Sequence, residues 1–376
     1  MQKPPQLKPL FIERMKKLLG NEMQDYLEIL KQPILRSIRC NTLKISPEEL
    51  KIRLEKKGWL IKQPWPDYPE VFIVEGKFVF NKFSEDSNDK SSLNNKKISS
   101  DKILVNINNP IKSSEASENS RGEGGISKNA KILINLEPGE LGRALEHLLG
   151  YYYIQELASM LPVLILEPKS KELILDLCAS PGSKTTQISA EMKNTGTIIA
   201  NEISISRIQI LASNLERCGC SNTIITKKEG RALGQRLKKE GFHFDKILVD
   251  APCSGEGTLR SSPKTYLMWN IRTIKSLPKI QKELVKNTLE ILNPNGTLVY
   301  STCTHAPEEN EGVISNILNE NKNIKLESIN LPIKYREGIT EWENNKFNPQ
   351  VKKCARIYPQ DSNTEGFFIA KIKKIK

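Results

Sequence analysis

The sequence predicts an α/β protein, a doubly wound and mostly parallel sheet preceded by a small α+β unit. Three observations carry this. From Lys131 onward short apolar strand patterns alternate with amphipathic helical ones, the signature of βαβ units with right-handed crossovers. Residues 1–84 mix strand and helix patterns without that alternation. Between them, residues 85–130 are rich in Ser, Asn, Lys and Glu and contain no aromatic residue. The expected domains are therefore an N-terminal α+β unit, 1–84, a low-complexity insertion, 85–130, and a doubly wound unit, 131–376.

In the first unit, Ser37-Ile-Arg-Cys-Asn-Thr-Leu alternates like a strand, and Val71-Phe-Ile-Val reads as another. Ser46-Pro-Glu-Glu-Leu opens a helix between them: serine can cap it, proline suits its first turn, and glutamates face its positive end. That helix runs to Lys57, where Gly58 can stop it. Trp59 and Trp65 are expected in this unit's core. The insertion cannot bury enough apolar surface to offset its ordering entropy. Its exception is Ile103-Leu-Val-Asn-Ile, which can pair as a short edge strand.

In the third zone the expected strands are Leu173–Leu177, Thr197–Asn201, Thr223–Thr226, Asp245–Val249 and Thr297–Ser301. The expected helices are Lys184–Met192, Ser204–Arg217, Ala232–Glu240, Ile274–Leu292 and Pro307–Asn319.

Composition narrows the class. No run approaches the ~18–20 apolar residues that would span a membrane, and the N-terminus lacks a signal-peptide pattern. A cytoplasmic protein is expected. Seven cysteines, an odd number, do not suggest a disulfide framework. Cys218 and Cys220 form a C-x-C pair without a second ligand pair at zinc-site spacing, so no metal is expected. The net charge of +13 divides into +6 for residues 1–84, zero for the insertion and +7 for the rest. A polyanionic partner fits such a surplus, because each neutralised phosphate releases counterions. A generally lysine-rich composition would produce it too.

The first strand of the third zone runs into Asp176-Leu-Cys-Ala-Ser-Pro-Gly-Ser-Lys-Thr-Thr. Ligands of open α/β sheets lie beyond the carboxyl ends of the strands, where the strand order reverses. The turn has neither P-loop nor G-x-G-x-x-G spacing and carries little charge, which suits a sulfonium cofactor better than a pyrophosphate. Glu202 ends the second strand, where an acid can accept bonds from both ribose hydroxyls. Glu229 and Gly230 follow the third, beside the expected adenine. Either acid alone is more often a helix cap or a solvated residue; together with the first turn they indicate a mononucleoside cofactor.

Two further turns carry thiols: Asp250-Ala-Pro-Cys-Ser-Gly after the fourth strand, and Ser301-Thr-Cys-Thr-His after the fifth. Neighbouring strands lie about 4.8 Å apart, so Cys253 and Cys303 would overhang one end of the sheet. Buried cysteines are usually inert, yet a pair at equivalent turns asks for chemistry. Cytosine C5 is a poor nucleophile toward a methyl sulfonium. A thiolate added at C6 makes C5 enamine-like, which is covalent catalysis. Asp250, protonated or shared with the base, could bond the N3/N4 edge.

These strings, with Pro307-Glu-Glu-Asn-Glu, Gly366-Phe-Phe-Ile-Ala-Lys and Arg36-Ser-Ile-Arg-Cys-Asn-Thr-Leu-Lys, resemble the Nop/Sun family of RNA cytosine-5 methyltransferases. The resemblance spans the catalytic region and much of the N-terminal unit. It implies a Rossmann-like class I methyltransferase fold and S-adenosyl-L-methionine as cofactor. It implies Cys303 as the nucleophile on C6 and Cys253 as the thiol that assists release. DNA cytosine methyltransferases, whose nucleophile lies in a P-C motif, would imply the reverse. Cofactor contacts carried over from the family fall on Cys178, Ala179, Ser180, Pro181, Gly182, Ser183, Lys184, Glu202, Arg207, Glu229, Gly230 and Asp250. The first turn reads A-S-P-G-S-K where many relatives have A-A-P-G-G-K, and Glu229 stands where aspartate is common. The insertion is not a family feature.

The short N-terminal unit and Gly150-Tyr-Tyr-Tyr-Ile-Gln-Glu most resemble the archaeal-type tRNA branch. Nothing resembles an RNA-binding domain after the catalytic region, or the helical N-terminal module of bacterial ribosomal RNA relatives. Tyr151–Tyr153 could stack bases, but packing of a helix that leads into the sheet explains them more simply. The expected partner is RNA, tRNA before ribosomal RNA. Two other classes stay open: a methyltransferase directed at an exocyclic amine or a protein, which would not need Cys303, and a non-catalytic RNA-binding assembly factor.

Overall fold

The computed structural model describes residues 7–80, 103–105 and 131–375. Helix α1 (Pro9–Leu19) begins on a proline in its first turn and ends at Gly20, whose φ is +57°. With α2 (Met23–Ile29) it docks on the catalytic unit. Phe11, Met15 and Tyr26 pack in one cluster with Trp269, Ala306 and Tyr358.

Strand β1 (Ser37–Cys40) leads to α3 (Pro47–Lys56), where Ser46 Oγ accepts from the Glu49 amide at 3.1 Å, as the capping pattern requires. Gly58, at φ +84°, turns the chain into β2 (Trp59–Lys62), followed by β3 (Val71–Phe80). β4 (Ile103–Val105) is the expected edge strand of the insertion. It pairs antiparallel with β5 (Lys131–Ile134), which pairs with β3; the rest of the insertion lies outside the described residues. After the short helices α4 (Glu140–Arg143) and α5 (Leu145–Leu148) comes β6 (Tyr152–Ile154), paired with β1. The first sheet thus has the order β4-β5-β3-β1-β6, with β2 on β3.

One expectation changes here. β5 and β6 pair into the N-terminal sheet, so the sheet boundary falls after Ile154 and not at 131. The insertion interrupts the connection between two antiparallel partners, β3 and β5. Tyr152 and Tyr153 stand in β6 and serve packing, the simpler of the two roles open to them. The Tyr152 hydroxyl donates to Leu141 O at 2.6 Å, and the Tyr153 ring lies between the Arg39 and Arg217 guanidinium groups at 5.6 and 5.5 Å. Both are buried, which leaves only Tyr151 partly open among the three.

The second unit proceeds as α6 (Leu157–Leu166), β7 (Leu173–Asp176), α7 (Ser183–Glu191), β8 (Thr197–Asn201), α8 (Ile205–Cys218), β9 (Thr223–Thr226), α9 (Gly230–Lys239) and β10 (Phe244–Asp250). It continues with α10 (Pro263–Met268), α11 (Ile271–Glu290), β11 (Leu292–Thr302), α12 (Glu311–Glu320) and β12 (Ile324–Glu327). Three two-residue strands, β13 (Arg336–Glu337), β14 (Glu341–Trp342) and β15 (Asn345–Lys346), precede β16 (Ala355–Ile357), α13 (Pro359–Ser362) and β17 (Phe367–Lys374). The sheet order is β13-β16-β17-β11-β10-β7-β8-β9, with β12 also on β17. β11, β10, β7, β8 and β9 are mutually parallel, and β17 is antiparallel to β11. All five expected strands and all five expected helices are present. The helix expected from Pro307 starts only at Glu311, because residues 303–310 form a bonded loop.

Helices cover both faces. Leu233, Leu284, Val285, Val313 and Ile317 fill one side with Ile247, Leu298 and Phe368; Leu157, Leu161, Ile188 and Met192 fill the other with Ile174, Leu248 and Val299. Trp59 sits in the N-terminal core with Leu50 and Leu54, whereas Trp65 packs into the catalytic core. The two tryptophans therefore serve different cores. Arg39, buried on β1, joins the units by donating to Ser183 O at 2.9 Å, to Thr186 Oγ1 at 2.8 Å and to Gln155 Oε1. Among the described residues no helix is long and apolar enough to cross a membrane.

Candidate active site

In chain order the parallel strands run outward from β7 through β8 to β9, then restart on its other side with β10. The switch point between β7 and β10 opens a crevice at their carboxyl ends. The turns singled out after β7, β8, β9, β10 and β11 all lie at the carboxyl ends of these parallel strands.

On the thiol side, Cys253 follows β10 and Cys303 follows β11, paired in register through Asp250 and Ser301. Their sulfurs lie 3.2 Å apart, and both side chains are partly open while most of their neighbours are buried. The bond to Cys303, and then burial, hold the Cys253 thiol well above its ordinary pKa. Asp250 accepts from Lys184 Nζ and from Ser301 Oγ, each at 2.7 Å, and the same Nζ reaches Ser159 Oγ at 3.1 Å. Lys184 and Asp250 thus stand together at this corner, beside the two thiol turns. The Pro307-Glu-Glu-Asn-Glu string braces the thiol turns. Asn310 accepts from Thr302 Oγ1 at 2.6 Å and donates to Thr304 O at 3.0 Å, on either side of Cys303. Glu309 Oε2 accepts from the Ser254 amide at 3.0 Å and from Gln281 Nε2 at 2.8 Å. Glu256 accepts from Trp269 Nε1 at 2.8 Å and from Thr304 Oγ1 at 3.3 Å. Gly366 crosses Gly257 so closely that an added Cβ at Gly257 would lie 2.2 Å from Gly366 O.

On the other side, the turn Cys178, Ala179, Ser180, Pro181, Gly182, Ser183, Lys184 links β7 to α7. Gly182, at φ +102°, is the N-cap of α7 and supplies no side chain, so the helix's first amides face the crevice. The Ala179 amide donates to Asn201 O at 2.9 Å, and Ser180 Oγ to Arg207 O at 2.9 Å. Burial pushes Asp176 up to about 7 and Cys178 higher than any ordinary thiol. Glu202 is buried; it accepts from the Ser204 amide at 2.9 Å and pairs with Arg207 at 3.3 Å. Arg207 also donates to Ser180 O at 2.7 Å. Glu229 is the N-cap of α9, accepting from the Arg231 and Ala232 amides at 3.1 and 3.0 Å. Both Glu202 and Glu229 therefore bond an amide at the start of the helix that follows them. Gly230 begins that helix against Leu284, 2.6 Å from an added Cβ.

Sequence reading did not find Asn201, whose amide donates to Leu177 O at 3.1 Å and Lys228 O at 3.0 Å and so ties two turns together. It also missed Gln281. That residue lies within the apolar stripe of α11, buried with Ile274, Leu284, Val285 and Thr288, and a polar residue in such a stripe was the available signal.

An α7 N-terminus with no side-chain cap and a buried acid at the end of β8 suit a mononucleoside with a charged tail. Fold and site together define a Rossmann-like methyltransferase. Residues 163–373 match the family model described as 16S rRNA methyltransferase RsmB/F, and residues 7–82 match the N-terminal domain of 16S rRNA methyltransferase RsmF. The chain belongs to this RsmB/F, or Nop/Sun, family of RNA cytosine-5 methyltransferases.

A tRNA (cytosine(49)-C(5))-methyltransferase of Pyrococcus abyssi is 35% identical over 363 residues, 96% of this chain and 95% of the relative. Ribosomal RNA small subunit methyltransferase F of Psychromonas ingrahamii is 33% identical over all of this chain, which spans only 65% of that relative. Among solved structures, a methyltransferase homolog from Pyrococcus horikoshii superposes with a TM-score of 0.72 at 30% identity, covering 98% of this chain and 95% of its own. NSun6 from Pyrococcus horikoshii with SFG has a TM-score of 0.70 at 28% identity, covering 98% of both chains. The chain fits the archaeal-type tRNA branch of the family, and its N-terminal unit also matches that of a ribosomal RNA enzyme.

Proposed function

We propose that the chain transfers a methyl group to C5 of cytosine in RNA, through a covalent bond between Cys303 and C6. The observation that carries this reading is the 3.2 Å separation of two partly open thiols at the switch point. S-adenosyl-L-methionine would be held by the β7–α7 turn, the α7 amides and Glu202, and would supply an electrophilic methyl group. The chain's own residues do the rest. Cys303, as thiolate, adds to C6, and the electron pair of the C5–C6 bond becomes available at C5 for the methyl group. Cys253 fits a thiol that keeps its proton beside Cys303, since its raised pKa disfavours the thiolate. Loss of the C5 proton to a base then restores the double bond and expels the Cys303 thiolate, a step that Cys253 assists. Lys184, fixed by Asp250 and Ser159, donates at the base edge or to the carboxylate of the cofactor. The target base must leave its stack to present both C5 and C6.

We favour tRNA because the Pyrococcus abyssi relative, a tRNA (cytosine(49)-C(5))-methyltransferase, is 35% identical over 96% of this chain. Ribosomal RNA is the second reading, favoured by the N-terminal match. Bisulfite mapping of unmodified cellular RNA treated with wild type and Cys303→Ala tests both. New 5-methylcytosines made by the wild type alone, in tRNA, are expected. Sites in ribosomal RNA would move the substrate, and transfer by Cys303→Ala would end the covalent reading. Cys253→Ala should accumulate an RNA adduct that survives denaturing gels, and Cys303→Ala should not.

A further inference from the structure

Cys253 stands on a turn that no regular element holds: the chain leaves β10 at Asp250 and forms no helical turn before Glu256. Two buried side chains from other elements grip it. Gln281, on α11, donates from Nε2 to Pro252 O at 3.0 Å and to Glu309 Oε2 at 2.8 Å. That same Glu309 oxygen accepts from the Ser254 amide at 3.0 Å. The carbonyl before Cys253 and the amide after it are thus bonded to one unit, whose two members are bonded to each other. Both are completely buried, at 0% exposure, so water does not compete for these bonds. The unit is also tied to the strand that delivers Cys303, because Tyr300 on β11 donates its hydroxyl to Glu309 O at 2.6 Å.

Burying two such groups is unfavourable unless they are bonded, and the same volume could be filled by apolar residues without that cost. Here the bonding is incomplete: Glu309 Oε1 and Gln281 Oε1 have no partner among the described residues. Burial accordingly raises Glu309 to about 7. An arrangement that costs stability and fixes one peptide segment points to placement of that segment. We propose that Gln281 and Glu309 form a clamp that positions Cys253 against Cys303 for the release step. This rests on the release role given to Cys253 above. Neither residue is a catalytic group; they act through the turn.

The test uses the full chain with substrate RNA and S-adenosylmethionine, comparing adduct on denaturing gels with kcat and KM in multiple turnover. Glu309→Ala should lower kcat about 100-fold, as an ångström of misplacement can, leave KM for RNA near wild type, and accumulate the adduct seen with Cys253→Ala. Glu309→Gln keeps an acceptor for Ser254 and should restore turnover and clear the adduct. Gln281→Leu, which leaves the Glu309–Ser254 bond in place, carries the same expectation if Glu309→Ala fails to fold. The clamp is overturned if Cys253→Ala traps RNA while the folded clamp variants do not, or if those variants slow adduct formation and release alike. If Cys253→Ala itself traps nothing, the release role falls and the clamp with it.

Discussion

The two halves of the crevice are held together in different ways. Around the thiols, the turns after β10 and β11 are gripped by buried side chains from elsewhere: Gln281 and Glu309 on one, Asn310 on the other, with Glu256 joining Trp269 to Thr304. Around the first turn and β8 and β9, backbone bonds and Asn201 hold the chain, while Glu202 and Glu229 fold back on amides of their own helix starts. The difference follows from the tasks. Bond formation at a sulfur depends on placement to a fraction of an ångström, so that side is built before any substrate arrives. Reversible binding of a small molecule needs open amides and acids whose present partners can be shared or displaced.

The largest effect that would test this contrast is expected at Asp250, which touches both halves. Asp250→Asn keeps an acceptor for Ser301 but leaves the buried Lys184 without its counter-charge. Turnover should fall about 100-fold, within the range seen when a group that handles protons or charge is lost. Undiminished kcat would show that the pair only supports the turn.

A smaller effect separates the two acids. Glu202→Ala should weaken S-adenosylmethionine binding about tenfold by calorimetry, the worth of roughly one good hydrogen bond. Glu229→Ala should instead cost about 1 kcal/mol of stability, as loss of an N-cap does, with little change in affinity. If Glu229→Ala weakened binding as much as Glu202→Ala, the cap would have to open for the ligand, and the halves would differ less than they look.

The smallest effect is a pH dependence. Burial raises Asp176 to about 7, so from about pH 4 to 7 the folded chain holds a proton that the unfolded chain has released. The stability owed to this group is therefore present at low pH and declines as pH rises, levelling above about 7. Asp176→Asn keeps the acceptor for Thr185 Oγ1 and removes the titration. Its stability relative to wild type in urea melts should rise across that window and then stay level. A difference that does not change with pH would contradict the raised pKa.

What the sequence by itself determined is local: strand and helix patterns, the cap at Ser46, the edge strand at Ile103, and thiols at two strand ends. Each depends on side-chain period, turn residues and backbone freedom within a few positions, which a linear reading captures. The tertiary structure decided what depends on distant partners. It assigned β5 and β6 to the first sheet, split Trp59 from Trp65, paired Lys184 with Asp250, and set Gln281 and Glu309 around Cys253. These are pairings across tens to hundreds of residues, such as Arg39 with Thr186. Nothing in the neighbouring sequence marks them, because hydrogen bonds and burial are properties of position in space.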